Sequence, residues 1–344
     1  MESNIEEGNL LFTDEYKRAL EKASYEIVGN HSAVEICGWT KKSLKGADSG
    51  CYKQKFYGIR SHQCTQMTPS AVACDQKCVY CWRANEMFSG QQDLMEYAND
   101  DPAEIVQESI EAHLGKLTGF GGNPNVDPKK YEESRTVRHF AISLTGEPTL
   151  YRRLPEMLRE LRERKISSFL VTNGLHPEMI ERLRDEDSLP TQLYMSLDAP
   201  DEATWKKIDI PLIPNFWDKI KGTLKLMAGL QTRKVLRMTV VKGWNDFDIP
   251  GYAELIRLAG KRAMIEVKSY MHLGPARKRL SQSNMLSYEE VSEFARNLAL
   301  ELGWKVIDEA PNSLIALVAE EDCDGRVMDF GDPLTGHLAP SFSC

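Results

Sequence analysis

The run Cys74-Asp75-Gln76-Lys77-Cys78-Val79-Tyr80-Cys81 places three thiols on one loop at CxxxCxxC spacing, directly after a stretch, Thr65–Val72, that reads as a strand. A cubane iron–sulfur cluster takes one thiolate per iron, so three closely spaced cysteines hold three corners and leave the fourth iron open. A zinc knuckle is the plainer reading of clustered cysteines, but it wants a fourth Cys or His at short spacing. His62 and Cys64 stand ten or more residues upstream, which disfavours zinc.

Working outward, the chain from about residue 137 repeats a short apolar run, a loop and an amphipathic stretch. Strands are predicted over Val137–Leu144, Ser167–Val171, Gln192–Leu197, Val235–Val241 and Met264–Tyr270. Helices are predicted over Arg152–Arg164, Pro177–Asp187, Phe216–Gly229 and Ile249–Arg262. With the first strand and a helix over Pro102–Leu117 this makes about six βα units. The fold class is therefore α/β, an incomplete (β/α)6 barrel whose chemistry gathers at the C-terminal ends of its strands. Residues 1–64 read as an N-terminal extension: one helix, Asp14–Ile27, then an irregular stretch. Residues 65–275 form the barrel, and 276–344 a C-terminal extension with helix Tyr288–Gly303 and strand Ser313–Ala319. The Gly/Pro/Asn-rich segment 115–135 reads as a long loop and carries no GxxxxGK[ST] phosphate loop.

Composition agrees with a cofactor enzyme. Apolar residues make up 42% of the 344, enough for a large core, and no apolar run is long enough to span a bilayer. The acidic start MESNIEEGNLL lacks the form of a signal peptide, so a cytosolic, membrane-free protein is expected. Six of the eight cysteines fall between Cys37 and Cys81, which favours metal or redox chemistry over disulfides. Cys323 and Cys344 are expected to be structural or incidental. The net charge of −8 argues weakly against nucleic acid, although Lys41, Lys42 and Lys45 form one basic group and Arg277, Lys278 and Arg279 another.

The cysteine loop after the first barrel strand resembles that of the radical S-adenosylmethionine superfamily. There the open iron chelates the amino and carboxylate groups of S-adenosylmethionine, and electron transfer into the sulfonium releases a 5′-deoxyadenosyl radical. The resemblance places Tyr80 near the adenine. Thr145-Gly146-Glu147-Pro148, after the second barrel strand, resembles the superfamily's GGE segment, whose backbone pairs with the S-adenosylmethionine amino group. Asn173, in Thr172-Asn173-Gly174, ends the third strand, while Ser196 and Asp198 end the fourth. Such small polar groups suit ribose and carboxylate hydrogen bonds, although Asn-Gly and Gly-Glu-Pro are also ordinary turn formers.

Cys37, Cys51 and Cys64 are too widely spaced for a zinc ribbon, and either serve as small buried hydrophobes or hold a second cluster with its own open iron. Lys53 in Cys51-Tyr-Lys53 is either an imine former, if desolvation keeps a neutral fraction, or a cationic anchor for a carboxylate. From about residue 30 onward, the spacing of the six cysteines, the Cys-x-Lys and the CVYCWR run resemble the archaeal tRNA 4-demethylwyosine synthases. The resemblance implies a carbon–carbon lyase that condenses N1-methylguanosine, next to the anticodon of phenylalanine tRNA, with pyruvate in wybutosine biosynthesis. It implies two [4Fe–4S] clusters, one on Cys74, Cys78 and Cys81 and one on Cys37, Cys51 and Cys64, with Lys53 meeting pyruvate. Eukaryotic relatives add a flavodoxin-like domain, so an external flavodoxin- or ferredoxin-type electron donor is expected, and a monomer. The radical would abstract hydrogen from the N-methyl group, and the methylene radical would attack pyruvate C2 with loss of C1. The base must leave its stack to reach the barrel.

The two basic groups are expected at the barrel mouth, where the anticodon stem approaches. Glu266, Lys268 and Tyr270 alternate along the sixth barrel strand and are expected to point inward, handling protons. Two rival readings are a two-cluster radical enzyme acting on a peptide or small metabolite, and a non-catalytic, zinc-stabilised RNA-binding module.

Overall fold

The computed structural model describes residues 11–46 and 50–336. Among them ten strands join in one sheet, in the order β1-β2-β3-β4-β5-β6-β7-β8-β10-β9. These are β1 (Glu26–Val28), β2 (Ser32–Glu35), β3 (Cys64–Thr68), β4 (His139–Ile142), β5 (Ser167–Thr172), β6 (Gln192–Ser196), β7 (Arg233–Val240), β8 (Ala263–Ser269), β9 (Lys305–Ala310) and β10 (Ile315–Ala319). From β3 to β8 every neighbour pairs in parallel. That is the six-unit partial barrel the sequence spacing requires.

Period-2 patterning sorts the strand residues onto two faces. Leu236, Met238 and Val240 of β7 join the large core with Leu224, Met227 and Ile256 of the outer helices. Val235 belongs to a second core inside the barrel with Phe169, Tyr194, Met264 and Leu317. Each fully buried Leu or Met contributes roughly 1.5–3 kcal/mol. Helix starts are locally encoded: the Asp101 carboxylate caps Pro102–Leu117 by accepting from Ala103 and Glu104, and Ser287 with Glu290 forms a capping box on Tyr288–Leu302.

Several expectations are corrected. The first helix stops at Lys22, because Ser24 turns at φ 65° and the chain enters the β1–β2 hairpin. The stretch after it is not irregular: β2 adds antiparallel to β3, and short helices cover Gly38–Leu44 and Tyr52–Tyr57. Within the expected loop 115–135, Asp127 caps a helix over Pro128–Ser134. Tyr270 lies past the end of β8 and packs in the outer core, its hydroxyl 3.0 Å from His272 Nδ1. The C-terminal strand pairs antiparallel with β8 and so extends the barrel sheet itself. Cys323 is disulfide-bonded, and Cys344 lies outside the described residues.

Candidate functional site

Residues 69–90 leave β3 at its C-terminal end and form a loop held by backbone bonds on three sides. Glu147 N–H donates to Ala73 O (2.9 Å), Val79 N–H to Ile208 O (2.8 Å), Leu212 N–H to Asp75 O (2.9 Å), and Gly90 N–H to Cys74 O (2.8 Å). Side chains complete the hold: Ser89 Oγ donates to Gln76 O (2.6 Å) and Asn85 Nδ2 to Cys78 O (3.1 Å). Arg279 donates to the carbonyls of Val79 and Cys81 and to Asn85 Oδ1. Arg279 is thus committed to the loop, which corrects its expected place on a basic lip. Arg277 remains outside, with Nε on His272 O.

Cys74, Cys78 and Cys81 are free thiols whose charges act on one another, and burial pushes all three upward. Thiols so costly to ionise need a cation at close range to become thiolates. Among the described residues no trio of Cys, His, Asp or Glu closes on the single point that one metal ion demands. A cubane asks something different, because each of its thiolates binds a separate iron. Free, half-buried thiols whose charges interact, carried on a stitched loop, fit that group.

The strand-end residues gather beside this loop, though much of their polarity is spent on the protein. Gly146 has φ 68°, and a Cβ there would stand 1.8 Å from Ser70 O and 2.6 Å from Ala73 O, so only glycine lets the two loops touch. Thr145 is buried beside it. The Glu147 carboxylate accepts from Thr149 N, Thr172 Oγ1 (2.7 Å) and Asn173 N (2.8 Å), bracing the second strand end against the third. Asn173 Nδ2 donates to Asp75 Oδ1 (2.5 Å), and His176 Nε2 lies 2.6 Å from Asp75 Oδ2. The sequence did not single out Asp75 or His176; a charged residue inside the cysteine motif was the available signal. The Tyr80 hydroxyl lies 2.7 Å from both Asp198 Oδ2 and Asp209 Oδ1. Burial lifts Asp198 to about 6. The Ser196 side chain is half-buried.

The other trio is assembled from three elements. Cys37 and Cys51 occupy the N-cap positions of helices Gly38–Leu44 and Tyr52–Tyr57, and Cys64 opens β3. Ser61 Oγ accepts from Cys51 N (2.8 Å), while Thr40 Oγ1 donates to Ser61 O (2.9 Å), locking the two helix starts together. Burial pushes Cys37 up, Cys51 to about 11 and Cys64 to about 12, and the thiols raise one another while Lys53 lowers Cys51 and Cys64. This trio too is free, with Cys64 buried, Cys37 and Cys51 half-buried and their charges interacting, so it fits a second cubane.

Lys53 enters the barrel interior from the second short helix. Its Nζ sits 4.2 Å from the Tyr194 ring centroid and 5.7 Å from that of Phe169. Burial lowers its pKa despite the opposing pull of Glu266. Lys55, by contrast, is spent at the surface on Asp308 (2.7 Å) and Glu309 O. On the sixth barrel strand, Glu266 accepts from Tyr52 (2.9 Å) and Tyr57 (2.8 Å) and is wholly buried, and Lys268 Nζ donates to Ser313 O (2.6 Å). Glu266 and Lys268 thus point inward as expected. Arg237, which sequence reading passed over, donates from Nη1 to Tyr52 OH (3.2 Å).

A loop of three cysteines after the first strand of a parallel partial barrel is the arrangement of a radical S-adenosylmethionine protein, and the model of that superfamily matches residues 135–256. A second model, for wyosine base formation, matches residues 260–320. The chain is 44% identical to the S-adenosyl-L-methionine-dependent tRNA 4-demethylwyosine synthase of Pyrococcus abyssi, over 92% of each chain. It is 45% identical to that of Pyrococcus horikoshii over 90% of each. A rice relative of the same name is 40% identical over 89% of this chain and 46% of its own length. A solved structure of TYW1 with a lysine–pyruvate adduct bound superposes with a TM-score of 0.81 at 33% identity, covering 92% of this chain and 100% of that one. An archaeal TYW1 crystal structure gives 0.71 at 32% identity, covering 90% and 96%. The chain belongs to the tRNA 4-demethylwyosine synthase family.

Proposed function

We propose that this protein converts N1-methylguanosine in tRNA to 4-demethylwyosine, using pyruvate as the carbon donor and S-adenosylmethionine as the radical source. The observation that carries the reading is Lys53: a buried amine with lowered pKa, set on aromatic rings beside the free thiols of Cys51 and Cys64. Cys74, Cys78 and Cys81 would hold the cluster that cleaves S-adenosylmethionine, and Cys37, Cys51 and Cys64 a second [4Fe–4S] cluster. Bound there, the cluster supplies one electron to the sulfonium and so an adenosyl radical.

The chain's own residues do the rest. Tyr80, Thr145, Gly146, Glu147, Asn173, Ser196 and Asp198 shape the S-adenosylmethionine site, Glu147 and Asn173 by fixing strand ends rather than by spare hydrogen bonds. Imine formation needs a neutral amine and expels one water, and burial of Lys53 supports both requirements. The interior aromatic wall excludes bulk water from the pyruvate carbonyl. A relative's solved lysine–pyruvate adduct supports this assignment. An open iron on the second cluster is the other holder of pyruvate that the trio allows.

Lys42 and Lys45 are exposed beside the second trio and Lys41 is half-exposed, so this face would meet the anticodon stem in a salt-dependent manner. The reading includes carbon–carbon lyase chemistry, an external flavodoxin- or ferredoxin-type donor, and a cytosolic monomer. Anaerobic protein incubated with methylated tRNA, pyruvate, S-adenosylmethionine and a reductant should give a pyruvate-dependent mass change in the tRNA. No such change overturns the proposal.

A further inference from the structure

The barrel interior is layered. Pairing along the sheet sets Val171, Tyr194, Val235 and Met264 in one row. The next row toward the mouth is Ser196, Arg237, Glu266 and Leu317. Lys53 rests on Tyr194 of the first row, so Arg237 stands one row nearer the mouth on the adjoining strand. The two charges act on each other.

Arg237 is held rigidly on one side only. Nη1 donates to Tyr52 OH, the guanidinium lies 5.8 Å from the Tyr52 ring centroid, and Tyr52 in turn donates to Glu266. Its Nε and Nη2 have no acceptor among the described residues, and neither is sealed from solvent. The Glu266 carboxylate, paired across the sheet from Arg237, acts on its charge but accepts from Tyr52 and Tyr57. A fixed guanidinium with unspent donors beside aromatic rings is a receptor for a planar anion. The other interior cations are occupied. Arg233 donates to Gln192, Gly325 O and Arg326 O. Lys268 is on Ser313 O, and burial pulls its ammonium down to about 7.

An α-keto acid joined to Lys53 through C2 must bury its C1 carboxylate within a bond or two of that carbon, where an unpaired charge is costly. We infer that Arg237 binds this carboxylate and thereby selects an α-keto acid over neutral carbonyl compounds. The inference rests on the Lys53 reading and names what that reading leaves unassigned.

Borohydride trapping of the anaerobic holoenzyme, followed by mass analysis of the peptide bearing Lys53, needs neither tRNA nor S-adenosylmethionine. For Arg237→Gln the pyruvate concentration giving half-maximal trapping should rise about 10–100-fold, as loss of a charge-assisted pair implies. Its preference for pyruvate over methyl pyruvate should vanish. Arg237→Lys keeps the cation without the fork and should give a smaller rise, which keeps the test alive if Arg237→Gln fails to fold. Unchanged pyruvate dependence with the ester still rejected overturns the inference. A shift in the KM for S-adenosylmethionine in place of pyruvate overturns it too, assigning Arg237 to the other carboxylate. If wild-type Lys53 traps nothing, the imine reading fails on its own. The pyruvate KM for tRNA product then tests Arg237 directly, and an unchanged value sinks it.

Discussion

The two cysteine trios flank β3 in the chain and are built on opposite principles. Cys74, Cys78 and Cys81 share one loop, tied down by backbone bonds to residues 147 and 208–212. Cys37, Cys51 and Cys64 come from two short helices and a strand end, and meet only when these pack. A local trio has its spacing set by one loop, and the rest of the fold only braces that loop from outside. A dispersed trio is a reporter of tertiary structure, and it brings with it whatever lies beside its elements, here Lys53.

The largest effect expected is from Cys78→Ala, which should reduce 5′-deoxyadenosine formation to background and remove about half the iron. Cys51→Ala should also remove about half the iron, yet leave uncoupled S-adenosylmethionine cleavage and no wyosine product. Equal iron with opposite cleavage is what separates the trios; full iron and full product in the Cys51 variant would abolish the second cluster. Gly146→Ala forces a methyl into Ser70 O and should cost roughly 3 kcal/mol or more, read as a lower Tm with loss of the first cluster's iron. Arg279→Lys loosens the same loop by fewer contacts, at roughly 1–2 kcal/mol, and should leave the second cluster's spectrum untouched.

Acid supplies the baseline. Burial lowers His113 to about 4, and neither ring nitrogen has a partner. Between pH 6.5 and 4 the unfolded chain binds a proton there that the folded chain refuses, so stability falls with pH by up to roughly 1.4 kcal/mol per unit. His113→Leu should flatten that slope in pH-dependent denaturation without changing iron content.

How much of this was legible follows the same local-versus-dispersed division. The βα register and the cysteine loop are written in contiguous runs, and helices such as Phe216–Gly229 fall where their periodicity puts them. Helices Gly38–Leu44 and Tyr52–Tyr57 span two turns or fewer, too short for period 3.6 to show, and their stability comes from tertiary contacts such as Tyr57 on Glu266. Arg279 carried no sign of its role, because its acceptors lie some 200 residues away. Arg237 did leave a trace: in Val235-Leu-Arg237-Met-Thr239 the charge falls on the inward phase of an apolar strand.

A sheet that never closes keeps two raw rims, and unpaired strand rims invite other copies to add on. Here β1 offers only three residues for pairing, and β9 presents Lys305, Asp308 and Glu309. Lys55 and Arg326 sit on Asp308, crowding that border with fixed charge. The open barrel is thereby protected against edge-to-edge polymerisation without the closure that other barrels rely on.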